Sequence, residues 1–211
     1  MRDSWGFMRV LQSSLGSLEP QCEHHAEAMF EVLCDPAIYE FEGQPPPSVE
    51  ALRRGYRKRE TRESPDGTEK WLNWVVRLPS GQLAGYVQAT VLGTGASYIG
   101  YEFSSRYWRR GIATAVLKTM FVELAQAYQV HTLIAVIKRA NFRSMALLHK
   151  LGFEQAQPDA TRHIEAEDDE IVLLWPLDRA RNVVHADPAL QAKEPTRGGA
   201  ASIQRRPTKS L

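Results

Sequence analysis

The sequence is poor in cysteine and has no long apolar run. Its two cysteines, Cys22 and Cys34, fall in a segment whose apolar spacing predicts one helix. Twelve helical positions span ~18 Å, which is too far for a disulfide, and so low a cysteine count fits a reducing cytoplasm. No stretch approaches the ~20 apolar residues of a membrane span, and the N-terminus lacks the apolar core of a secretory signal. We therefore expect a soluble, cytoplasmic protein.

Metal-ligand spacing and a concentrated basic face are also missing. His24 and His25 do not combine with the cysteines into a metal-binding pattern, so we expect no metal. Residues 1–177 contain 19 basic and 22 acidic side chains, and a near-neutral body argues against DNA binding. Residues 178–211 contain 7 basic and 3 acidic side chains with few large apolar groups, which predicts a disordered basic tail.

Residues 8–177 are expected to form a single α/β domain, because a chain of this length buries one good core. Predicted strands cover 9–15, 71–78, 85–91, 97–103, 133–137, 153–155 and 171–175. Predicted helices cover 21–33, 48–62, 113–128 and 141–150. Short Gly-containing turns between the second, third and fourth strands indicate an antiparallel meander. The continuous apolar run of the fifth indicates a central strand covered on both faces.

The most informative stretch is Tyr107–Ala113, an Arg- and Gly-rich turn that opens the third helix. Such a helix start presents unpaired N–H groups and the positive end of the helix dipole, which together bind phosphate or pyrophosphate. The small side chains of Gly111 and Ala113 allow a ligand to approach the backbone closely. The candidate donors are the main-chain N–H groups of Arg109, Arg110, Gly111, Ile112 and Ala113. The alternative is a surface arginine pair at an ordinary helix start.

A second cluster begins about thirty residues later, in the order Asn141, Ser144, Leu147 and Gly152-Phe153. Asn141 and Ser144 are three residues apart and so share one helix face, from which both could face the same cleft. The alternative is an N-cap asparagine followed by a solvated serine.

The two clusters, in this order, resemble the GNAT superfamily of acetyl-CoA-dependent N-acetyltransferases. The strand Gly100-Tyr101-Glu102 and the Tyr-Trp form of the loop resemble the RimJ/RimL-like branch of ribosomal-protein alanine N-acetyltransferases. Trp108 departs from the glutamine or arginine usual at its position. The resemblance implies a mixed, mainly antiparallel sheet flanked by helices, with splayed strands at the acyl-CoA cleft. It also implies acetyl-CoA as cosubstrate, with the pyrophosphate on residues 109–113 and pantetheine near Asn141 and Ser144.

Acetyl transfer from a thioester needs a base for the amine and a proton for the departing thiolate. Glu102 lies where related enzymes often keep a general base, although a polar strand-end residue would look the same. Many relatives carry a proton-donating tyrosine seven residues after the motif asparagine, but this chain has Leu148 there. Ser144, acting through a water molecule, is the replacement that we propose to test.

The expected activity is transfer of an acetyl group to a primary amine, either a protein N-terminus or a small molecule. Expected partners are this acceptor and, as an open alternative, a second copy in a homodimer; no membrane or DNA is expected. Because Leu148 replaces tyrosine, a non-catalytic acyl-CoA-binding regulatory module is the first alternative. A ribosome- or RNA-associated factor is the second, because residues 53–62 are rich in arginine, although such a run is more often a solvated helix face.

Overall fold

In a computed structural model of the protein, the structure describes residues 8–157 and 164–177. Within these ranges, eight strands form one sheet in the order β1-β2-β3-β4-β5-β6-β8-β7. The strands are β1 (Leu11–Ser13), β2 (Gly16–Pro20), β3 (Glu69–Arg77), β4 (Leu83–Leu92), β5 (Ala96–Phe103), β6 (Thr132–Lys138), β7 (Glu154–Gln155) and β8 (Glu170–Pro176). All neighbours are antiparallel except β5 and β6. This confirms the mixed, mainly antiparallel sheet, whereas the predicted tail, residues 178–211, lies outside the described residues.

In the described ranges, four α-helices accompany the sheet: α1 (Ala26–Leu33), α2 (Val49–Arg59), α3 (Ile112–Ala127) and α4 (Phe142–Leu151). Two predicted N-caps are confirmed. The Ser48 hydroxyl accepts from the Ala51 N–H at 3.1 Å, and Asn141 Oδ1 accepts from the Ser144 N–H at 3.0 Å, so each satisfies one unpaired donor. Gly152 ends α4 with φ = +98°, a conformation that favours glycine. No helix in the described residues is long and apolar enough to cross a membrane.

The structure differs from the sequence prediction near the N-terminus. The predicted strand 9–15 is half of a β1–β2 hairpin, which was missed because its Ser14-Leu15 turn has none of the usual hairpin-turn pairs. The predicted helix 21–33 starts as a 3₁₀ turn at Glu23 and becomes α-helical only at Ala26. Cys22 and Cys34 therefore flank α1 instead of lying inside it, and both are free thiols. The predicted helix 48–62 ends at Arg59 because Arg62 has a left-handed backbone, φ = +62°.

The sheet is the middle layer of three. Alternate residues of a strand point to opposite faces, so Trp74 and Val75 of β3 belong to different apolar clusters. The Trp74 face packs against Leu117 of α3 and Leu148 of α4 in the main core. The Val75 face carries α1 and α2 in a smaller cluster. Full burial of one large apolar side chain stabilises the fold by roughly 1.5–3 kcal/mol. Apolar burial therefore holds both helical layers on the sheet.

The sheet opens between its only parallel pair. β5 and β6 are in register only at Ala96/Thr132, Ser97/Leu133 and Tyr98/Ile134. Beyond these pairs, β5 stays bonded to β4 as far as Phe103, and β6 stays bonded to β8 as far as Lys138. The facing edges thus separate and leave main-chain groups without a strand partner. This divergence confirms the expected splayed strands and creates a cleft in the middle of the sheet.

Candidate active site

The loop between β5 and α3 places an open helix N-terminus beside this cleft. Gly111 is the N-cap of α3 with φ = +78°, and no described side chain caps it. Arg109 also has a positive φ of +58°, and Arg109, Arg110 and Gly111 are all exposed. The first N–H groups of α3 have no partner within the helix, so they and the helix dipole are available to an anion.

The backbone gives position 111 a second reason to be glycine, besides the expected access for a ligand. A Cβ atom there would meet only Leu15 Cδ1, at 3.7 Å, so the surrounding protein leaves room for a side chain. The left-handed backbone disfavours one, because it costs an ordinary residue ~1 kcal/mol or more. The Trp108 indole N–H donates to the Phe103 carbonyl oxygen at 2.7 Å, which fixes the loop against the end of β5.

Arg143, in the first turn of α4, joins this loop to the segment between α1 and α2, residues 34–48, which we call the α1–α2 loop. Its guanidinium carbon lies 4.6 Å from the Trp108 ring centroid and 4.9 Å from that of Phe41. It also donates to the Glu40 carboxylate. The Phe41 and Phe142 rings meet edge to face at 5.7 Å. Arg143 therefore ties the α1–α2 loop across the mouth of the cleft, a role that sequence analysis missed.

Asp35 anchors the start of the α1–α2 loop. Its Oδ2 accepts from the Ser105 N–H at 2.6 Å and from the Ser104 hydroxyl at 3.1 Å. Burial acts to raise the pKa of Asp35, but these hydrogen bonds and one from the Ala37 N–H outweigh burial and lower it. The charged carboxylate thus holds the α1–α2 loop to the residues that follow β5.

Glu102 lies on the α1–α2 side of the sheet. Its register partner on β4 is Tyr86. One carboxylate oxygen, Oε2, is buried and has no hydrogen-bond partner among the described residues. Burial raises the pKa of Glu102 to about 7, the nearby Tyr86 hydroxyl opposes this rise, and the negative charge of Glu42 adds to it. A carboxyl group with this pKa can accept a proton near neutral pH.

Three tyrosines lie near enough to Glu102 to feel its charge, and sequence analysis assigned a role to none of them. Tyr39, Tyr56 and Tyr86 all have pKa values raised chiefly by burial and further by the nearby Glu102 charge. The Tyr39 hydroxyl donates to the Leu33 carbonyl oxygen at 2.9 Å. Tyr56 is only 3% exposed, yet its hydroxyl has no hydrogen-bond partner in the part of the chain that the structure describes. Helical spacing predicts a buried face for Tyr56, but no local pattern shows that it meets two other tyrosines.

Tyr101 and Ser144 lie on the opposite side of β5. Burial raises the pKa of Tyr101 to about 12, and the neighbouring Ser144 hydroxyl opposes this rise. The two hydroxyls approach each other without a hydrogen bond of good geometry, since Tyr101 Oη has no partner in the described structure. Ser144 is thus brought to the cleft, but on the other face of the sheet from Glu102. Leu148 is fully buried in the main core.

The remaining residues singled out in the sequence take structural positions. Asn141 uses its side-chain oxygen as the N-cap of α4. Arg57 of the basic helix pairs with Glu23 at 2.5 Å, and Arg62 donates to the Gln21 carbonyl oxygen. Trp74 is part of the main core. Within the described ranges, no three His, Cys, Asp or Glu side chains are grouped to hold a metal ion.

Comparison with known proteins gives the family. A model described as an acetyltransferase (GNAT) domain matches residues 17–154, which is well over half of the chain. The protein therefore belongs to the GNAT acetyltransferases, acyltransferases that use acetyl-CoA. No individually curated protein matches the chain significantly.

Solved structures share the fold at low sequence identity. RimJ of Mycobacterium smegmatis, in complex with CoA-disulfide, has a TM-score of 0.65 and 21% identity over 88% of this chain and 97% of its own. RimL, a ribosomal L7/L12 alpha-N-protein acetyltransferase in complex with coenzyme A, has a TM-score of 0.68 and 15% identity over 81% and 99%. A spermidine N-acetyltransferase chimera from Vibrio cholerae and hSSAT has a TM-score of 0.64 and 16% identity over 80% and 99%.

Proposed function

We propose that residues 8–177 form an N-acetyltransferase that transfers the acetyl group of acetyl-CoA to a primary amine by direct attack. One observation supports this most strongly. The gap between β5 and β6 has an uncapped helix N-terminus at one end and two contrasting polar groups on its two faces. Glu102 faces the α1–α2 side and Ser144 the α3–α4 side. A reacting thioester in the gap would have a base and a proton donor on opposite sides.

The main-chain N–H groups of Arg109, Arg110, Gly111, Ile112 and Ala113 are proposed to bind the pyrophosphate of CoA. The residues present fit such a group, because residues 109–111 are exposed and the N-terminus of α3, its positive end, carries no side-chain cap. The Asn141 side-chain NH₂, left free by capping through Oδ1, and the Ser144 hydroxyl are proposed to contact pantetheine. Tyr101 contributes a buried hydroxyl with unused hydrogen-bonding capacity on the same side.

The thioester already carries a good leaving group, so the protein needs no covalent nucleophile. Glu102 takes a proton from the ammonium form of the acceptor, which frees the nitrogen lone pair for attack on the carbonyl carbon of the thioester. Glu102 Oε2, which has no partner among the described residues, is the atom proposed to accept that proton. As the new N–C bond forms and the C–S bond breaks, Ser144 relays a proton through a water molecule to the departing thiolate, on the opposite side of the strand. Positioning supplies the rest of the acceleration, because both reactants are held at one cleft.

The proposed acceptor is a primary amine, and the proposal covers both protein N-termini and small-molecule amines. The names of the solved neighbours include one alpha-N-protein acetyltransferase and one spermidine N-acetyltransferase. A protein N-terminus and a polyamine differ in size but both offer a primary amine.

An acetyl-CoA turnover screen tests the proposal. Release of CoA is followed with alanine-initiated peptides, spermidine, aminoglycosides and free amino acids. We expect turnover with at least one amine and a mass increase of one acetyl group on that amine. A protein that binds CoA in calorimetry but acetylates no amine would be the non-catalytic module instead. A protein that binds no CoA would contradict the whole assignment.

A further inference from the structure

Two hydrogen-bonding atoms near the proposed acceptor side are buried and unused. Glu102 Oε2 and Tyr56 Oη have no hydrogen-bond partner among the described residues. Unpaired buried polar atoms are rare in folded proteins, because each costs roughly 1–3 kcal/mol. Two of them interacting electrostatically with one another indicate a place where a ligand supplies the missing partners.

The neighbouring tyrosines determine what kind of partner is missing. Tyr39 donates its hydroxyl hydrogen to the Leu33 carbonyl oxygen, so its oxygen can only accept further hydrogen bonds. Glu102 Oε2 accepts when ionised, and Tyr56 Oη can accept as well as donate. Acceptors thus outnumber donors in this group, which suits a ligand rich in N–H bonds.

Charge and ring chemistry favour the same ligand. Two carboxylates, Glu42 and Glu102, act on this region, and so does the guanidinium of Arg59, which lowers the pKa of Tyr56 and Tyr86. Tyrosine ring faces also attract cations. The carboxylates would repel an anionic ligand, whereas an ammonium ion would meet acceptors.

We propose that Glu102 Oε2 and Tyr56 Oη form an ammonium-binding subsite, walled by Tyr39 and Tyr86, that selects primary amines over N-methylated ones. The inference deepens the proposed function, on which it rests for the identity of the reaction. A primary ammonium has three N–H donors, and each N-methyl group removes one and adds bulk inside a buried pocket. Tyr56 is thus a substrate-binding residue that acts before proton transfer to Glu102.

Direct binding tests the subsite without requiring turnover. Protein labelled with ¹³C at the glutamate carboxyls is titrated with propylammonium chloride, and Glu102→Gln assigns the Glu102 resonance. We expect that resonance to shift and saturate, with the affinity about tenfold weaker in Tyr56→Phe, which keeps the ring and loses one hydrogen bond to a charged group. Trimethylpropylammonium should leave the resonance unmoved. Tyr128→Phe, which changes a partly buried tyrosine just after α3, should bind like the wild type.

Three results would overturn the inference: no shift at Glu102, equal affinity in Tyr56→Phe, or an equal response to the quaternary ion. A kinetic arm uses any amine that the turnover screen finds. There, Tyr56→Phe should raise the KM for the amine about tenfold and reduce the preference over the N-methyl derivative, with unchanged CoA affinity. Absence of turnover with every amine would count against the proposed function alone, since the titration still decides the subsite.

Discussion

The two sides of strand β5 offer a ligand different kinds of atoms. The α3–α4 side presents main-chain N–H groups at Gly111 and small hydroxyls at Ser144 and Tyr101. The α1–α2 side presents side-chain oxygens, with Glu102 surrounded by tyrosines. A main-chain site needs only a local backbone shape, so a short motif can specify it. A side-chain site must be assembled from several segments, and Tyr39, Tyr56, Tyr86 and Glu102 come from four.

This comparison implies separable phenotypes. Changes on the α3–α4 side should alter CoA binding and proton return, whereas changes on the α1–α2 side should alter amine binding and proton removal. Each experiment below tests whether the two sides act separately.

The largest effect is expected from Gly111→Glu. A side chain at φ = +78° strains the loop, and a carboxylate beside the first N–H groups of α3 repels the pyrophosphate. CoA affinity measured by calorimetry should fall on the order of 100-fold or more, equivalent to ~2.7 kcal/mol. Gly81→Glu is the matched control, because Gly81 has φ = +87° with no atom within 4 Å of an added Cβ. Unchanged affinity in Gly111→Glu would refute the phosphate site.

Glu102→Gln should reduce kcat about 100-fold at neutral pH, because the amide cannot take a proton, while CoA affinity stays the same. In the wild type, kcat/KM should rise as pH increases through about 7, the pKa to which burial raises Glu102. The variant should lack this rise. A variant with wild-type kinetics would remove Glu102 from the mechanism.

The same substitution should change stability in a pH-dependent way. The pKa of Glu102 is raised from 4.5 to about 7 in the folded protein, so the folded state holds its proton more tightly than the unfolded state does. The associated stability is complete below pH 4.5 and is lost as pH rises through about 7. Glu102→Gln should therefore be up to ~3 kcal/mol more stable than the wild type above pH 7, as measured by urea unfolding. If the difference in unfolding free energy between Glu102→Gln and the wild type were the same below pH 4.5 and above pH 7, the Glu102 carboxyl would not be desolvated.

Ser144→Ala should have a smaller effect, lowering kcat about tenfold, because water can partly replace a proton donor. The helix should stay intact, since the cap uses the Ser144 main-chain N–H and not its hydroxyl. Stopped-flow turnover and thermal unfolding of the same sample separate the two effects. Full activity would assign proton return to another group.

The smallest effect is expected from Arg143→Ala, which removes contacts with Trp108, Phe41 and Glu40. Cation–π and exposed ion-pair contacts contribute about 1 kcal/mol together. Main-chain amides of residues 38–42 should exchange hydrogen roughly fivefold faster as the α1–α2 loop opens more often. The control is Arg106→Ala, which removes an exposed arginine from the turn that follows β5. This variant should leave the hydrogen exchange of residues 38–42 unchanged. Protection unchanged in Arg143→Ala would show that the α1–α2 loop is held elsewhere.

Sequence patterns predicted most of the structural elements that are determined by residues adjacent in the chain. The caps Ser48 and Asn141, the stop at Gly152 and the meander β3–β5 follow from residues that are neighbours in the chain. The sequence does not predict the β1–β2 hairpin, because its turn lacks a local signal. The predicted α2 is too long, because no local pattern marks the left-handed backbone of Arg62. For the site, the glycine loop and Ser144 were recognised as a family pattern. At Gly111 the structure adds a backbone reason for glycine, the left-handed φ of +78°, while ligand access stays a prediction.

The sequence alone determined where an anion could find open main-chain donors, because that property depends on a few consecutive residues and the helix that they begin. It also placed Glu102 at the end of a strand. Only the tertiary structure decided that Glu102 Oε2 is buried, that the pKa of this group is raised to about 7, and that tyrosines from three other segments lie near it. Those properties depend on the groups brought around a side chain by folding, and no spacing along the chain records them.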